Sequence, residues 1–470
     1  MNILEKGALF HRKPRSNLYR VFFWICLILG GIWLIRQAEQ GAIKPLFLPT
    51  ATPTRTAQSY ALEGDAQFTA GKLDAAITAY REAVGVEPSN AEVWAKLARI
   101  QAYSASLLTT DAQRRTRLGE ALDSVNQAVT LAPDSSTIHA MRAFVLDWNA
   151  NPALAGAERA QDLITEAEQE AVRALQLDNQ NTLALAFYAE ILVDQQKWSQ
   201  AEQYIKQAVE RDPSLMDVHR IYAYVLESQG QYNLAIQEYD KALAIEPNLT
   251  FLYLSAGRNY RSLAFKSGDP QRAQLYERAL EYFAKAARLN DQLEIRDPIP
   301  YLAIAKTYTQ QGEFFIAARN ALKALEIDPS NPDIYGQLGE IYQRSRNYEG
   351  AIPTLKCAVR GCTAEESCEV RGGCGEGETG VAVTGLPLSP SSANYYLIYG
   401  ALLAAFSPRE PSYCAEAEDV LTQLLSTYGD DLTIANNANE SLAICADVAV
   451  SLSQTPTPIP ASATTPSLGP

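Results

Sequence analysis

The chain has 470 residues, 47% hydrophobic and 20% charged, which is enough apolar material for a large buried core, yet it holds three histidines, His11, His139 and His219. With so few histidines and no His, Asp and Glu cluster at metal-ligand spacing, neither a metal centre nor other catalytic machinery is expected. The net charge of -14, with no basic stripe interleaved with aromatics, argues against nucleic acid as a partner, because an acidic body repels phosphate backbones.

The charge is unevenly placed along the chain. Residues 1–20 form a basic tail in which Lys6, Arg12, Lys13, Arg15 and Arg20 stand against Glu5, a net of +4 that leaves -18 for the remainder. Val21 to Ile35, VFFWICLILGGIWLI, is an uncharged apolar run of fifteen residues bounded by Arg20 and Arg36. That is somewhat short of the roughly 20 residues needed to cross hydrocarbon. Leu18 and Tyr19 lengthen its apolar face, the two arginines can snorkel, and Trp24 and Trp33 suit a membrane boundary.

Residues 21–36 are therefore expected to be a transmembrane signal-anchor. A cleaved signal peptide fits the same basic-then-apolar pattern, but Arg36, Gln37, Ala38, Glu39 and Gln40 make a poor small-residue cleavage site. The excess of Lys and Arg ahead of the span puts the amino terminus in the cytoplasm and the body outside it. Residues 37–56, which include KPLFLPTATPTRT, are rich in Pro and Thr and read as an extended linker. Residues 454–470 have the same composition and read as a disordered tail. Such tracts are common at the edges of exported bacterial proteins, so a bacterial source is expected.

Between these tracts the chain repeats itself. Prolines recur in one context at Pro88, Pro133, Pro213, Pro247 and Pro329, each closing a stretch such as KALAIEPN or KALEIDPS that reads as a helix end. The best copy, Met216 to Leu249, carries His219, Tyr222, Ala223, Leu226, Gly230, Tyr232, Ala235, Tyr239, Ala242 and Pro247. Others begin near Ala57, Thr182, Pro298 and Pro332, and three longer ones cover 91–135, 136–181 and 250–293. Their extra residues, SLLTTDAQRR, DWNANPALAG and FKSGDPQRA, are expected to lengthen the helices or the turn between them. These residues resemble the signature of the tetratricopeptide family, whose unit of roughly 34 residues pairs two helices.

That resemblance implies an all-α fold: a right-handed superhelical solenoid of about eight to nine helix pairs, here preceded by one transmembrane helix. Repeats are expected over 57–361, a Cys/Gly-rich loop over 362–392, and a degenerate repeat with a capping helix over 393–453, the last helix lying near Asp431 to Leu452. The small residues of each unit should be buried, Ala223, Ala235 and Ala242 among them. In proteins of this family the non-signature residues at offsets 2, 5, 9, 12 and 13 of each first helix face the concave groove. In this chain such positions include Arg99, Tyr103, Phe144, Trp148, Glu190, Asp194, Arg220, Tyr224, Arg258, Arg261 and Lys306. Exposed Trp, Tyr and Arg carry binding energy at interfaces, so a protein or peptide ligand is expected there. No ninth position is Asn, which argues against a receptor for chaperone carboxylate tails, although Arg258, Arg261 and Lys306 suit an acidic ligand.

Cys26 lies in the apolar span, and Cys357, Cys362, Cys368, Cys374, Cys414 and Cys445 all fall in the carboxy-terminal third. An even number in an oxidising compartment points to disulfides. The spacings fit neither zinc pairs nor C-x-x-C, so a metal site is not expected. The expected pairing joins Cys414 to Cys445 and leaves the other four to staple the loop.

The resulting expectation is a membrane-anchored extracytoplasmic scaffold for an envelope or surface complex, with no cofactor and no enzymatic activity. Two alternatives stand beside it: a thiol, redox or metal-dependent factor using the Cys-rich loop, and a binder of glycans or small molecules. Self-association is left open.

Overall fold

A computed structural model describes residues 17–39, 55–374 and 380–453. The basic tail to residue 16, most of the Pro/Thr linker, residues 375–379 and the Pro/Thr tail from 454 lie outside the described residues. The chain divides into two units, Met1–Arg55 and Thr56–Pro470.

In the first unit, α1 (Leu18–Glu39) is a helix of 22 residues. Its stretch Leu18–Gln37 has mean hydropathy 2.1, long and apolar enough to cross a membrane, a property that a signal sequence shares. Phe22, Trp24 and Trp33 on this helix are more than half exposed.

The second unit is a stack of nine helix pairs among the described residues. The first three are α2 (Ala57–Thr69) with α3 (Leu73–Val86), α4 (Ala91–Ala105) with α5 (Asp111–Leu131), and α6 (Ser136–Asn149) with, after the single turn α7 (Pro152–Ala155), α8 (Ala157–Leu177). Next come α9 (Thr182–Asp194) with α10 (Trp198–Arg211), α11 (Met216–Ser228) with α12 (Tyr232–Ile245), and α13 (Thr250–Lys266) with α14 (Gln271–Leu293). The last regular pairs are α15 (Ile299–Gln311) with α16 (Phe314–Ile327) and α17 (Pro332–Arg344) with α18 (Tyr348–Val359). After the short strand β1 (Gly361–Cys362), helix α19 (Ala364–Val370) and strand β2 (Val383–Thr384), α20 (Ala393–Phe406) pairs with α21 (Tyr413–Tyr428), and α22 (Leu432–Ser453) closes the stack.

The punctuation follows from the sequence between pairs. In EPSN, DNQN and DPSN the second helix stops, in two cases at a proline that offers no amide proton, and an asparagine starts the next unit. Asn90, Asn181 and Asn331 accept from the backbone N–H of Val93, Ala184 and Asp333 at 3.2, 3.2 and 3.1 Å, capping α4, α9 and α17. Within a unit the chain turns through a left-handed residue, supplied by Gly71, Gly230 and Gly312 at φ of 81, 74 and 83°.

Close packing is bought with small side chains. Ala223, Ala235 and Ala242 are fully buried, and a Cβ added to Gly64 would lie 2.7 Å from the Tyr80 ring of the paired helix. The inserted residues lengthen helices, as expected: α5 and α8 run to 21 residues and α13 and α14 to 17 and 23.

The segment expected to be loop throughout is partly ordered by α19, because Thr363 and Glu366 form a capping box: Glu366 N–H donates to Thr363 Oγ1 at 3.2 Å and Thr363 N–H to Glu366 Oε2 at 2.9 Å. β1 and β2 pair antiparallel beside it, with Gly361 opposite Thr384 and Cys362 opposite Val383. Cys357 and Cys362, Cys368 and Cys374, and Cys414 and Cys445 lie in disulfide pairs with Cα–Cα separations of 4.7, 5.0 and 5.4 Å.

The superhelix is tight enough that its early and late units touch. Asn248 Nδ2 donates to Thr69 O at 3.0 Å, Asn331 bonds Thr109, Ser389 and Ser391 bond Asp111, and Tyr103 stacks on Phe251 at 5.1 Å.

Candidate functional site

The first helices of successive pairs line the interior, and the non-signature side chains that they turn inward meet there. Arg99 on α4 donates from Nε to Asp217 Oδ1 on α11 at 3.1 Å and forms an ion pair with the same carboxylate, which also accepts the Tyr103 hydroxyl. Arg220, one turn further along α11, donates from Nε to the Tyr103 oxygen at 3.2 Å and clasps Glu190 of α9 with both terminal nitrogens, at 2.8 and 2.6 Å. Trp148 of α6 completes the run by donating to Glu190 at 3.2 Å.

Tyr103, Phe144, Glu190 and Arg220 are buried, which corrects the expectation of an exposed binding face at those four positions. The physical reason is the tight winding, which brings α4 against α11 and α13 and stacks their side chains into one cluster. Arg220 lies over the rings of Tyr103, Phe144 and Trp148 at 5.2, 5.7 and 5.8 Å, and Phe144 stacks on Phe187 at 4.6 Å. Two cations face two carboxylates in this network, and the bidentate guanidinium–carboxylate geometry is what lets such groups leave water. Burial alone would raise the Asp217 carboxyl, but Arg99 and the Tyr103 hydroxyl outweigh it and hold it below the ordinary range.

Beside the network the interior opens into a chamber of about 660 Å³ walled by α6, α8, α9, α11 and α13. Trp148, Glu190, Asp194, Arg220, Tyr224 and Arg258 line it, so six expected groove residues meet around one space. Asp194 is exposed at its rim and accepts the Tyr224 hydroxyl at 2.5 Å. The surrounding protein and the neighbouring Glu190 charge push its carboxyl up to about 6. Asp147 also faces the chamber and is held well above the ordinary carboxylate range, by burial first and then by Asp194 and Glu190.

A second, smaller cleft of about 190 Å³ adjoins the chamber and shares Ser106, Leu254 and Arg258 with it. Arg261 and Lys306, the remaining expected groove residues, join Arg258 here. Arg261 donates to Ala303 O at 3.3 Å and packs over the Phe283 ring at 5.5 Å. Burial and the like charge of Arg258 lower it to about 10, and enclosure and Arg261 lower Lys306. The interior thus offers an acidic, aromatic chamber joined to a basic cleft.

Asp147 and Asp217 were not singled out from sequence, although the signal was present. They stand at offset 12 of the unit beginning at Ser136 and offset 2 of the unit beginning at Met216, two of the positions that turn inward. Among the described residues no group of three or more His, Cys, Asp or Glu is arranged to hold a metal ion.

Three family profiles match the chain, two described as "Tetratricopeptide repeat" over residues 189–249 and 320–352 and one as "TPR repeat" over 64–102. Among characterised proteins, the TPR repeat-containing protein YpiA of Bacillus subtilis (strain 168) is 25% identical over 195 residues, 37% of this chain and 46% of that protein. The Hsp70-Hsp90 organizing protein of Triticum aestivum is 24% identical over 221 residues, 41% and 37% of the two chains. The chain therefore spans less than half the length of either relative. Among solved structures, the human IFIT1 dimer with PPP-AAAA superposes with a TM-score of 0.52 at 15% identity, covering 85% of this chain and 92% of that one, a likeness of fold. With paired helices, close-packed small residues and matching family profiles in agreement, the chain is a tetratricopeptide-repeat protein.

Proposed function

We propose that this chain is a membrane-anchored scaffold, held by residues 21–36 with its repeat body outside the cytoplasm, that seats a segment of a protein partner in its interior during assembly of an envelope or surface complex. Tetratricopeptide-repeat proteins generally mediate contacts between proteins. The observation that carries the reading here is the joined pair of chambers of opposite charge, walled by residues of seven helix pairs rather than by a single loop. In the basic cleft, Arg258, Arg261 and Lys306 suit an acidic group of that segment.

The solved IFIT1 structures contain PPP-AAAA or m7Gppp-AAAA. At 15% identity that likeness extends to the fold, and a net charge of -14 disfavours a nucleic-acid partner for this chain. A thiol-redox role for the cysteine-rich segment is disfavoured by the three cysteine pairs at disulfide distance.

The test joins topology to partner capture. A reporter enzyme active only outside the cytoplasm, fused to the carboxy terminus, should be active while the protein stays with membranes. A photo-reactive residue at Asn151 or Gln161, both exposed at the chamber, should then crosslink an envelope protein in cells. Cytoplasmic reporter activity would overturn the topology, and crosslinks confined to sites outside the chamber would overturn the partner seat.

A further inference from the structure

The acidic chamber contains a group that the repeat fold does not explain. Asp147 is 4% exposed, and among the described residues no donor reaches its Oδ1. A buried carboxylate oxygen without a partner is costly, and such groups persist where a ligand completes them. The other carboxylates facing the space are engaged. Glu190 is taken by Arg220 and Trp148, Asp194 accepts Tyr224, and Glu227 accepts Tyr239 at 3.2 Å and Asn259 at 2.7 Å.

The cations on the walls do not reach it either. Arg220 is spent on Glu190 and Tyr103, and Arg258 donates to Ser255 Oγ at 2.8 Å. Four carboxylates, Asp147, Glu190, Asp194 and Glu227, thus face two guanidiniums, Arg220 and Arg258. Trp148, Tyr224, Tyr239 and Phe251 supply aromatic walls, the surface on which a cation and an alkyl stem are both accommodated. A volume of about 660 Å³ lies in the range of sites that enclose small organic groups.

We infer that the chamber is a binding site for an organic cation, an alkylammonium or alkylguanidinium group whose head meets Asp147 and Asp194 and whose stem lies along Trp148 and Phe251. The assignment deepens the partner-seat reading and rests on it in one respect: a Lys or Arg side chain of the partner's segment is one source of that group, and a free polyamine is the other. The basic cleft next door rejects the same head, so the two chambers read opposite charges.

The acid–base consequence is directional. Asp147 and Asp194 are held above their ordinary range by burial and by Glu190, with Arg220 opposing, so a cation binds by displacing protons. The groups facing them from the surrounding elements are Glu190 on α9, Arg220, Tyr224 and Glu227 on α11, Tyr239 on α12 and Arg258 on α13; α8 contributes none that titrates. Affinity rises with pH as these carboxyls ionise.

The experiment is calorimetric titration of the full-length protein in detergent with N-acetyl-lysine amide, N-acetyl-arginine amide, spermidine and, as an uncharged match, N-acetyl-norleucine amide. The cations are expected to bind with a dissociation constant below about 1 mM, to release protons when buffers of different ionisation enthalpy are compared, and to leave the norleucine compound unbound. Asp147→Asn should weaken cation binding by about tenfold or more, with Asp194→Asn, at the exposed rim, as a second variant whose folding is safe. Tighter binding of the blocked amino acids assigns the group to a partner's side chain, and tighter binding of spermidine assigns it to a free polyamine; both uphold the site. Equal binding of the norleucine compound, no binding of any cation, or unchanged affinity in both variants overturns it. In that case crosslinking of a partner at Asn151 or Gln161 would still uphold the scaffold reading, so the two claims fail separately.

Discussion

Replacing Asp217 by Ala is expected to loosen the body where its early and late units meet. The Asp217 side chain is 4% exposed and that of Arg99 18%, so removing the carboxylate leaves a largely buried guanidinium without its counterion and the Tyr103 hydroxyl without its acceptor. Breaking a buried pair from one side costs about 3–5 kcal/mol. The residual access of Arg99 to water sets the lower end, about 3 kcal/mol, and the orphaned hydroxyl adds about 1 kcal/mol.

A loss of about 4 kcal/mol raises local opening by roughly a thousandfold. Native-state hydrogen exchange is the appropriate assay, because a repeat array need not unfold in one step and a single melting temperature would blur the effect. Protection should fall in α4 and α11 and hold in α17 and α18. The triple variant Asp217→Ala, Arg99→Met, Tyr103→Phe should recover most of the loss, since it removes the stranded partners together. Exchange in Asp217→Ala within about 0.5 kcal/mol of the parent, or a triple variant no better than the single one, would refute the reasoning.

Asp147→Asn should stabilise the protein at neutral pH. The raised carboxyl makes the folded state bind more protons than the unfolded one, so its contribution falls as pH rises from about 4 towards the folded value, and urea unfolding of the variant should show a shallower decline over that range. The lowered Asp217 has the opposite sign: its contribution is present above about pH 4 and is lost on acidification, a loss absent from Asp217→Asn. Ala235→Leu should strain the α11–α12 contact by about 1–3 kcal/mol, read as a lower urea midpoint. Cys445→Ser opens a disulfide of sequence separation 31 and should cost the α20–α22 end about 3–4 kcal/mol, visible as faster exchange in α22 with α6–α9 unchanged.

Much of the fold could be read directly because its rules are local. A proline that stops one helix, an asparagine that caps the next and alanines at the crossing points each act within one unit, so Pro88, Asn90 and Ala235 announce their roles without knowledge of the rest. The α19 turn was equally local, since Thr363 and Glu366 spell a capping box, but the glycines around it masked the signal. The interior was legible only halfway. Inward-facing offsets bring Arg220, Tyr224 and Lys306 to the walls of the two chambers and Arg99 into the buried network beside them, yet whether such a residue meets solvent depends on superhelical radius. That radius is a sum of small rotations over several units, and no single residue encodes it. Hence Tyr103 and Arg220 look like exposed interface types in the sequence and prove buried, while Asp147 and Asp217 gain their importance from residues dozens to more than a hundred positions away.

The cross-turn ties also change how this chain folds. In an ordinary array each unit leans only on its neighbours, and ends can be trimmed with little effect elsewhere. Here Asn248 reaches back to Thr69, and Asp217 to Arg99 and Tyr103, across sequence separations of 179, 118 and 114 residues. Contacts so distant form only after the intervening helices have ordered, because their loop-closure entropy is prohibitive before then. The first two helix pairs therefore act as a keystone set from the far side of the arch: synthesised early, they reach their final stability only once the fifth and sixth pairs have been made.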